Sequence, residues 1–138
     1  MSVFGVPLRW AAGVVRSRML LVFAGGTVGT AGRYLVGEVV ESPWSTLCVN
    51  VAGAFLLGLL TVVLERVRPG SRLRWLLGAG VLGGFTTYSA LAVHTVSFGS
   101  VSAAVGYVVA TVVLGVLACW GGNVSAGAVS RRGRQCGS

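Results

Sequence analysis

The stretch Gly80-Val81-Leu82-Gly83-Gly84-Phe85-Thr86-Thr87-Tyr88-Ser89-Ala90 decides how this chain is read. It occupies the middle of an apolar run, residues 75–97, and about 20 predominantly apolar residues suffice to cross a bilayer core of roughly 30 Å. Each glycine costs a helix interior about 1 kcal/mol relative to alanine, and here two adjacent glycines precede two β-branched threonines and a serine. The run is therefore least helical at its centre, where no water satisfies freed amides and carbonyls. Broken backbone at membrane depth is tolerated only where protein buries it or it lines a polar cavity, and discontinuous helices commonly hold ions there. A simple kink is the plain reading, and an ion site is the functional one.

Working outward, three further apolar runs qualify as spans: residues 19–37, 44–64 and 101–121. Arg16-Ser17-Arg18 ahead of Met19-Leu20-Leu21-Val22 resembles the start of a signal peptide, but the apolar run is short and glycine follows, so it reads as the first span. The expected fold class is an all-α integral membrane protein with four transmembrane helices, the third broken at its centre. Residues 1–18 form a basic N-terminal segment, with Phe4, Leu8 and Trp10 mixed among Arg9, Arg16 and Arg18 as in an amphipathic surface helix. Residues 19–123 make the membrane domain and residues 124–138 a basic, disordered tail. Short links between spans imply antiparallel neighbours.

Composition agrees. Of 138 residues, 54% are hydrophobic and only 10% charged, against about a quarter charged in soluble domains. Glu38, Glu41, Glu65 and a single His94 are too few proton-transfer or metal-binding groups for most enzymes, so no enzymatic activity is expected. The net charge of +8 comes from eleven arginines. They sit at the margins of apolar runs, where basic residues set membrane orientation, and not along a groove suited to nucleic acid. Cys48, Cys119 and Cys136 have no metal-binding or disulfide spacing.

Polar residues inside the spans narrow the function. Thr46, Asn50 and Gly53 share one face of span two, as Tyr107, Thr111 and Gly115 share one of span four. An amide at membrane depth must be hydrogen-bonded; Asn50 can glue helices together or offer N–H donors to an anion. Arg33 is the sole cation within a span and shares a face with Gly26 and Thr30. Its role is structural, through snorkelling, or electrostatic. Gly25 with Gly29, Gly80 with Gly84 and Gly106 with Ala110 form small-xxx-small faces for close helix packing.

Three stretches together resemble the Fluc/CrcB family of small fluoride channels: GGTVGTAGRY at residues 25–34, TLCVNVAGAFLLG at 46–58 and GVLGGFTTYSA at 80–90. The resemblance implies an antiparallel dimer of four-helix subunits with two narrow fluoride pathways. It also implies a structural Na+ at the two-fold centre, held by main-chain carbonyls that map to Gly83 and Thr86. Asn50 matches the family's pore asparagine and Arg33 its first-helix arginine. Fluoride is small and strongly hydrated, so a selective path must replace its water with closely placed donors. Asn50, Ser89, Tyr107 and Thr111 can donate, and an aromatic edge at Tyr88 carries a positive quadrupole.

The chain departs from the family's third-helix motif, which normally presents two phenylalanines; here the positions hold Tyr88 and Leu91. His94 stands near where many relatives carry a glutamate, and Gly115 where a relative can have a hydroxyl. The expected function is a fluoride-selective channel for passive fluoride efflux from the cytoplasm. One rival is a poorly conducting structural subunit of a heterodimeric channel. The other is a four-helix proton-coupled drug exporter, for which a carboxylate inside the bundle is wanting.

Charge placement sets the expected orientation. With four spans, Arg9, Arg16 and Arg18, then Arg66, Arg68, Arg72 and Arg74, then Arg131, Arg132 and Arg134 share one side. Glu38 and Glu41 lie on the other, which has no arginine. So strong a bias fixes both termini in the cytoplasm, in the cell membrane. An antiparallel assembly then calls for a homologous second chain of opposite orientation.

Overall fold

A computed structural model describes the backbone of residues 8–67 and 71–135, with side chains over 15–66 and 72–128. The expected contributions of Phe4, Leu8, Arg9, Trp10, Arg68, Arg131, Arg132, Arg134 and Cys136 to surface, charge or chemistry lie outside the described side chains. Helix α1 (Leu8–Val39) leads through a short turn into α2 (Trp44–Val67). The third span comprises α3 (Ser71–Leu73), a π-helical segment (Arg74–Leu82), α4 (Gly83–Phe85) and, beyond a gap, α5 (Tyr88–Ser97). Helix α6 (Val101–Gln135) closes the bundle. Four stretches are long and apolar enough to span a membrane: Val15–Val39, Trp44–Arg66, Arg74–Ser97 and Val101–Ala128.

The break falls where the glycine and threonine run places it. Thr86 and Thr87 have extended backbone, with φ and ψ of −76° and 155°, then −146° and 120°. Preceding it, Arg74–Leu82 is wound as a π-helix, with the Gly83 N–H donated back to the Gly78 carbonyl. Hydropathy gives no sign of this wider coil, because a segment that is apolar all round has the same pattern in either winding. π segments recur at functional sites.

Both terminal helices are longer than the sequence reading allows. Residues 8–18 continue α1 without interruption, so the basic segment is the outer end of the first helix. Helix α6 likewise runs past residue 123 to Gln135, where a disordered tail is expected. No proline interrupts Val124-Ser125-Ala126-Gly127-Ala128, and the Ser125 hydroxyl satisfies the Gly121 carbonyl at 2.7 Å.

Close packing skips a neighbour in sequence. Helix α1 lies mainly against the π segment and α4, and α2 mainly against α6. Spans one and three cross in the same direction, as do two and four, so the tightest pairs are parallel and not the antiparallel neighbours expected from short links. Glycine permits this. A Cβ at Gly80 would lie 2.9 Å from the Gly25 Cα, and one at Gly84 2.9 Å from the Gly26 Cα. Across the other pair, a Cβ at Gly58 would meet the Cys119 backbone and one at Gly122 the Phe55 backbone. Two of the three predicted small-residue faces are thus interfaces. Gly106 is exposed, and a Cβ there would meet no described residue within 4 Å.

The exterior is apolar: Phe23, Leu35 and Trp120 are 76%, 65% and 67% exposed. Lipid solvates such side chains, and helix association in lipid rests on close contact at small residues. Replacing Gly84 by valine therefore forces α1 and α4 apart, with an expected loss of about 1–3 kcal/mol in equilibrium unfolding from mixed micelles. Gly106→Ala, facing open space, should stay within about 0.5 kcal/mol of wild type. A Gly84→Val protein unfolding at the wild-type midpoint would contradict the packing.

Candidate functional site

Breaking a helix strands the N–H and C=O groups that its next turn would have paired. At the gap in the third span, side chains take over that task. The Thr87 N–H, which an unbroken helix would give to the Gly83 carbonyl, is donated to Asn50 Oδ1 at 2.8 Å. Asn50 Nδ2 in turn donates to the Thr87 carbonyl at 3.0 Å. One amide from α2 thus closes a two-bond clamp on a single residue of the break. Thr87 is buried, and its hydroxyl caps α5 by accepting the Ala90 N–H at 3.2 Å. In a continuous helix that N–H would serve the Thr86 carbonyl.

The gap takes the helical donor from four carbonyls, those of Gly83, Gly84, Phe85 and Thr86. Gly83 and Thr86 are the pair the resemblance singles out for Na+, and carbonyl oxygen is a suitable ligand for a hard cation. The amino-terminal edge of the gap is held differently: the Thr86 N–H and hydroxyl both return to the Leu82 carbonyl, at 3.0 and 2.9 Å. From α1 the Thr30 hydroxyl reaches the Gly84 carbonyl at 3.4 Å. Gly53 makes room for the methyl group of Thr86, which a Cβ there would strike. Of the stripe Thr46, Asn50, Gly53, the last two therefore face the broken span, while Thr46 is buried against Tyr107 of α6.

Beside the clamp runs a cleft of about 400 Å³ whose lining includes Asn50, Gly53, Gly83, Thr86, Tyr88 and Leu91. Tyr88 is 83% exposed on its rim. Ser89 is exposed too, its hydroxyl 3.2 Å from that of Thr87. Leu91 is buried and closes the inner side.

The predicted polar residues thus divide into two groups. Asn50, Gly83, Thr86, Tyr88 and Ser89 converge on the break. Asn50 is first a brace: one amide N–H and its oxygen are committed to Thr87, which leaves the second N–H for a ligand. Tyr107 and Thr111 do not join them as free donors. The Tyr107 hydroxyl donates to the Pro43 carbonyl at 2.9 Å, and its ring leans on Phe98 with centroids 5.3 Å apart. The Thr111 hydroxyl donates to the Tyr107 carbonyl at 2.8 Å, within its own helix. Buried hydroxyls take the nearest acceptor, and here the backbone supplies it. Arg33 is half-buried one turn beyond Thr30.

Thr87 and Thr30 are site residues the sequence reading passed over. A threonine immediately ahead of a helical run is an N-cap signal, and it was available at Thr87. Nothing local marks Thr30, whose bond spans 54 positions.

The clamp makes a prediction. In Asn50→Ala the Thr87 N–H loses its partner, a cost of about 1–3 kcal/mol for a buried group left unpaired, while the Thr87 carbonyl, at the N-cap of α5, keeps its helical donor. Asn50→Asp keeps an acceptor for the Thr87 N–H but turns a carboxylate oxygen toward the Thr87 carbonyl. Amide hydrogen exchange at Thr87 should therefore be slow in wild type and Asn50→Asp and fast in Asn50→Ala. Equal protection in all three would remove Asn50 as the brace.

Comparison with known proteins places this geometry. Residues 20–123 match the model of the family described as CrcB-like protein, Camphor Resistance (CrcB). The chain is 38% identical over 112 residues to a protein of Agrobacterium fabrum (strain C58) named fluoride-specific ion channel FluC, covering 74% of this chain and 90% of that one. It is 44% identical over 98 residues to fluoride-specific ion channel FluC 1 of Rhodococcus jostii (strain RHA1), covering 71% and 76%. A FluC of Anaeromyxobacter dehalogenans (strain 2CP-1) is 43% identical over 112 residues, covering 74% and 88%.

Proposed function

The chain belongs to the CrcB-like family, and from that premise we propose that it is a fluoride-selective channel through which fluoride leaves the cytoplasm passively. The observation that carries this reading is that the match takes in all four spans and the clamped break, while relatives covered over most of their length are named fluoride-specific ion channels. A channel of this kind changes no covalent bond. Its selectivity is a matter of replacing water with donors at close range. In this chain the second Asn50 N–H and the edge and hydroxyl of Tyr88 are the groups available on the cleft, with the Ser89 hydroxyl beside it at 3.2 Å from that of Thr87. The Tyr107 and Thr111 hydroxyls donate to backbone carbonyls. Arg33, one turn beyond Thr30, adds positive charge that favours an anion near the bundle.

The carbonyls of Gly83 and Thr86 suit a structural Na+. Their donors are diverted to Asn50 and Thr87, so each presents a lone pair that needs a partner. When bound, the cation supplies a fixed positive charge at the break, which anchors the span and draws anions toward it.

A second subunit follows from the solvent. Non-helical backbone does not face lipid, yet Thr86 in the gap is only half-buried, and Gly83 and Tyr88 at its two edges are exposed, Tyr88 to 83%. Protein must cover this face. The arginine bias supports cytoplasmic termini in the cell membrane, so an antiparallel cover comes from a homologous chain inserted the other way.

Reconstituted with its partner in liposomes, the protein should pass fluoride and exclude chloride, and Asn50→Asp should abolish most of the fluoride flux. Equal flux of the two anions would refute the selectivity, and normal flux in Asn50→Asp would remove Asn50 from the path. Reporter fusions at the C-terminus should give cytoplasmic signal alone. Comparable signals from both sides, or a conducting assembly of this chain by itself, would replace the heterodimer by a dual-topology homodimer.

A further inference from the structure

A second groove, of about 540 Å³, lies between α1 and the π segment, away from the break; it is lined by Val15, Arg18, Met19, Val22, Phe23 and Trp75. Its walls are apolar side chains left largely uncovered: Val15, Met19 and Phe23 are 52%, 67% and 76% exposed. Among the described residues Arg18 is the one charged side chain that lines the groove, and none of them is a carboxylate.

Arg18 is not loose. Its guanidinium carbon stands 5.4 Å from the centroid of the Trp75 ring, within reach of the indole quadrupole. A guanidinium over an aromatic face still has N–H groups to give, and its planar fork matches a phosphate. Tryptophan favours the headgroup level of a bilayer, which sets the depth of the pair. Arg72, exposed and three residues before Trp75, lies one turn further out on the same span. From Val15 to Phe23 is eight residues, about 12 Å along the axis, comparable with the hydrocarbon depth of one leaflet. An oriented cation at the rim of an apolar trough fits a ligand with an anionic head and a hydrocarbon chain. Basic pockets between transmembrane helices bind anionic headgroups in this way.

We infer that this groove binds an anionic glycerophospholipid, with its phosphate on Arg18 beside Arg72 and an acyl chain along Met19, Val22 and Phe23. The site is separate from the break and does not depend on the transport reading, because occupancy is measured without flux.

The test is native mass spectrometry of the full chain in detergent, offered dioleoylphosphatidylglycerol and dioleoylphosphatidylcholine at equal concentration. Phosphatidylglycerol should be retained in preference. Arg18→Gln should weaken it roughly tenfold, the loss of one charge-assisted contact, while Arg66→Gln, at the same end of the bundle but outside the groove, should leave it unchanged. Met19→Trp, which fills the trough and keeps the arginine, should also weaken it, so the test survives if Arg18→Gln fails to fold. Equal retention of both lipids, or undiminished phosphatidylglycerol binding in Arg18→Gln and Met19→Trp, would overturn the inference. So would full displacement of the lipid by millimolar inorganic phosphate, which would mark a free-anion site. A disulfide-linked dimer through Met19→Cys would show the groove to be a subunit interface.

Discussion

Two hydrogen bonds from one side chain let a broken helix exist inside a membrane. Asn50 accepts the Thr87 N–H and donates to the Thr87 carbonyl, replacing pairing that the helix gives up. Without such a partner each stranded group would carry the full cost of its desolvation, and the third span would close into an ordinary helix. The brace also has an outward effect. By drawing the Thr87 N–H away it leaves the Gly83 carbonyl unclaimed, and by capping α5 Thr87 does the same for Thr86. The feature that stabilises the gap therefore leaves carbonyl oxygens without helical donors within it.

The clamp requires α2 and the third span to be held at a constant distance, and glycine sets that distance elsewhere in the bundle. Gly25, Gly26 and Gly29 bring α1 into backbone contact with the π segment and α4, while Gly58 and Gly122 do so for α2 and α6. Each pair is a rigid parallel unit. The break lies where the units meet: Asn50 belongs to one and Thr87 to the other.

The break brings polar backbone to a face of the fold where Thr86 is half-buried and Gly83 and Tyr88 are exposed, a surface that hydrocarbon solvates poorly. The charge distribution acts at right angles to this. Arginines gather at the end of the bundle that carries both termini, and there the Arg18 guanidinium stands over Trp75 beside an apolar groove.

Four spans and the position of the break were legible in the sequence, because hydropathy and helix propensity are local properties and membrane depth leaves only helix as the default. The Fluc/CrcB resemblance also rested on motifs readable in order. Asn50 could be singled out as polar and buried, but whether it faced an ion or the backbone depended on Thr87, 37 positions away. Tyr107 and Thr111 show the converse. Their spacing put them on one face, yet only the folded chain set Pro43 against the first and left the second to its own helix. Which spans pair most closely was equally hidden, since short loops constrain direction and not contact. The π winding and the long ends of α1 and α6 had no signature in an apolar or glycine-rich run. Local sequence determined what each segment could be, because cost per residue in lipid is set by that residue. Tertiary structure decided where each polar group spent its hydrogen bonds, because a donor in hydrocarbon takes whatever acceptor the fold brings within reach, a carbonyl one turn back for Thr111 and one 64 positions away for Tyr107.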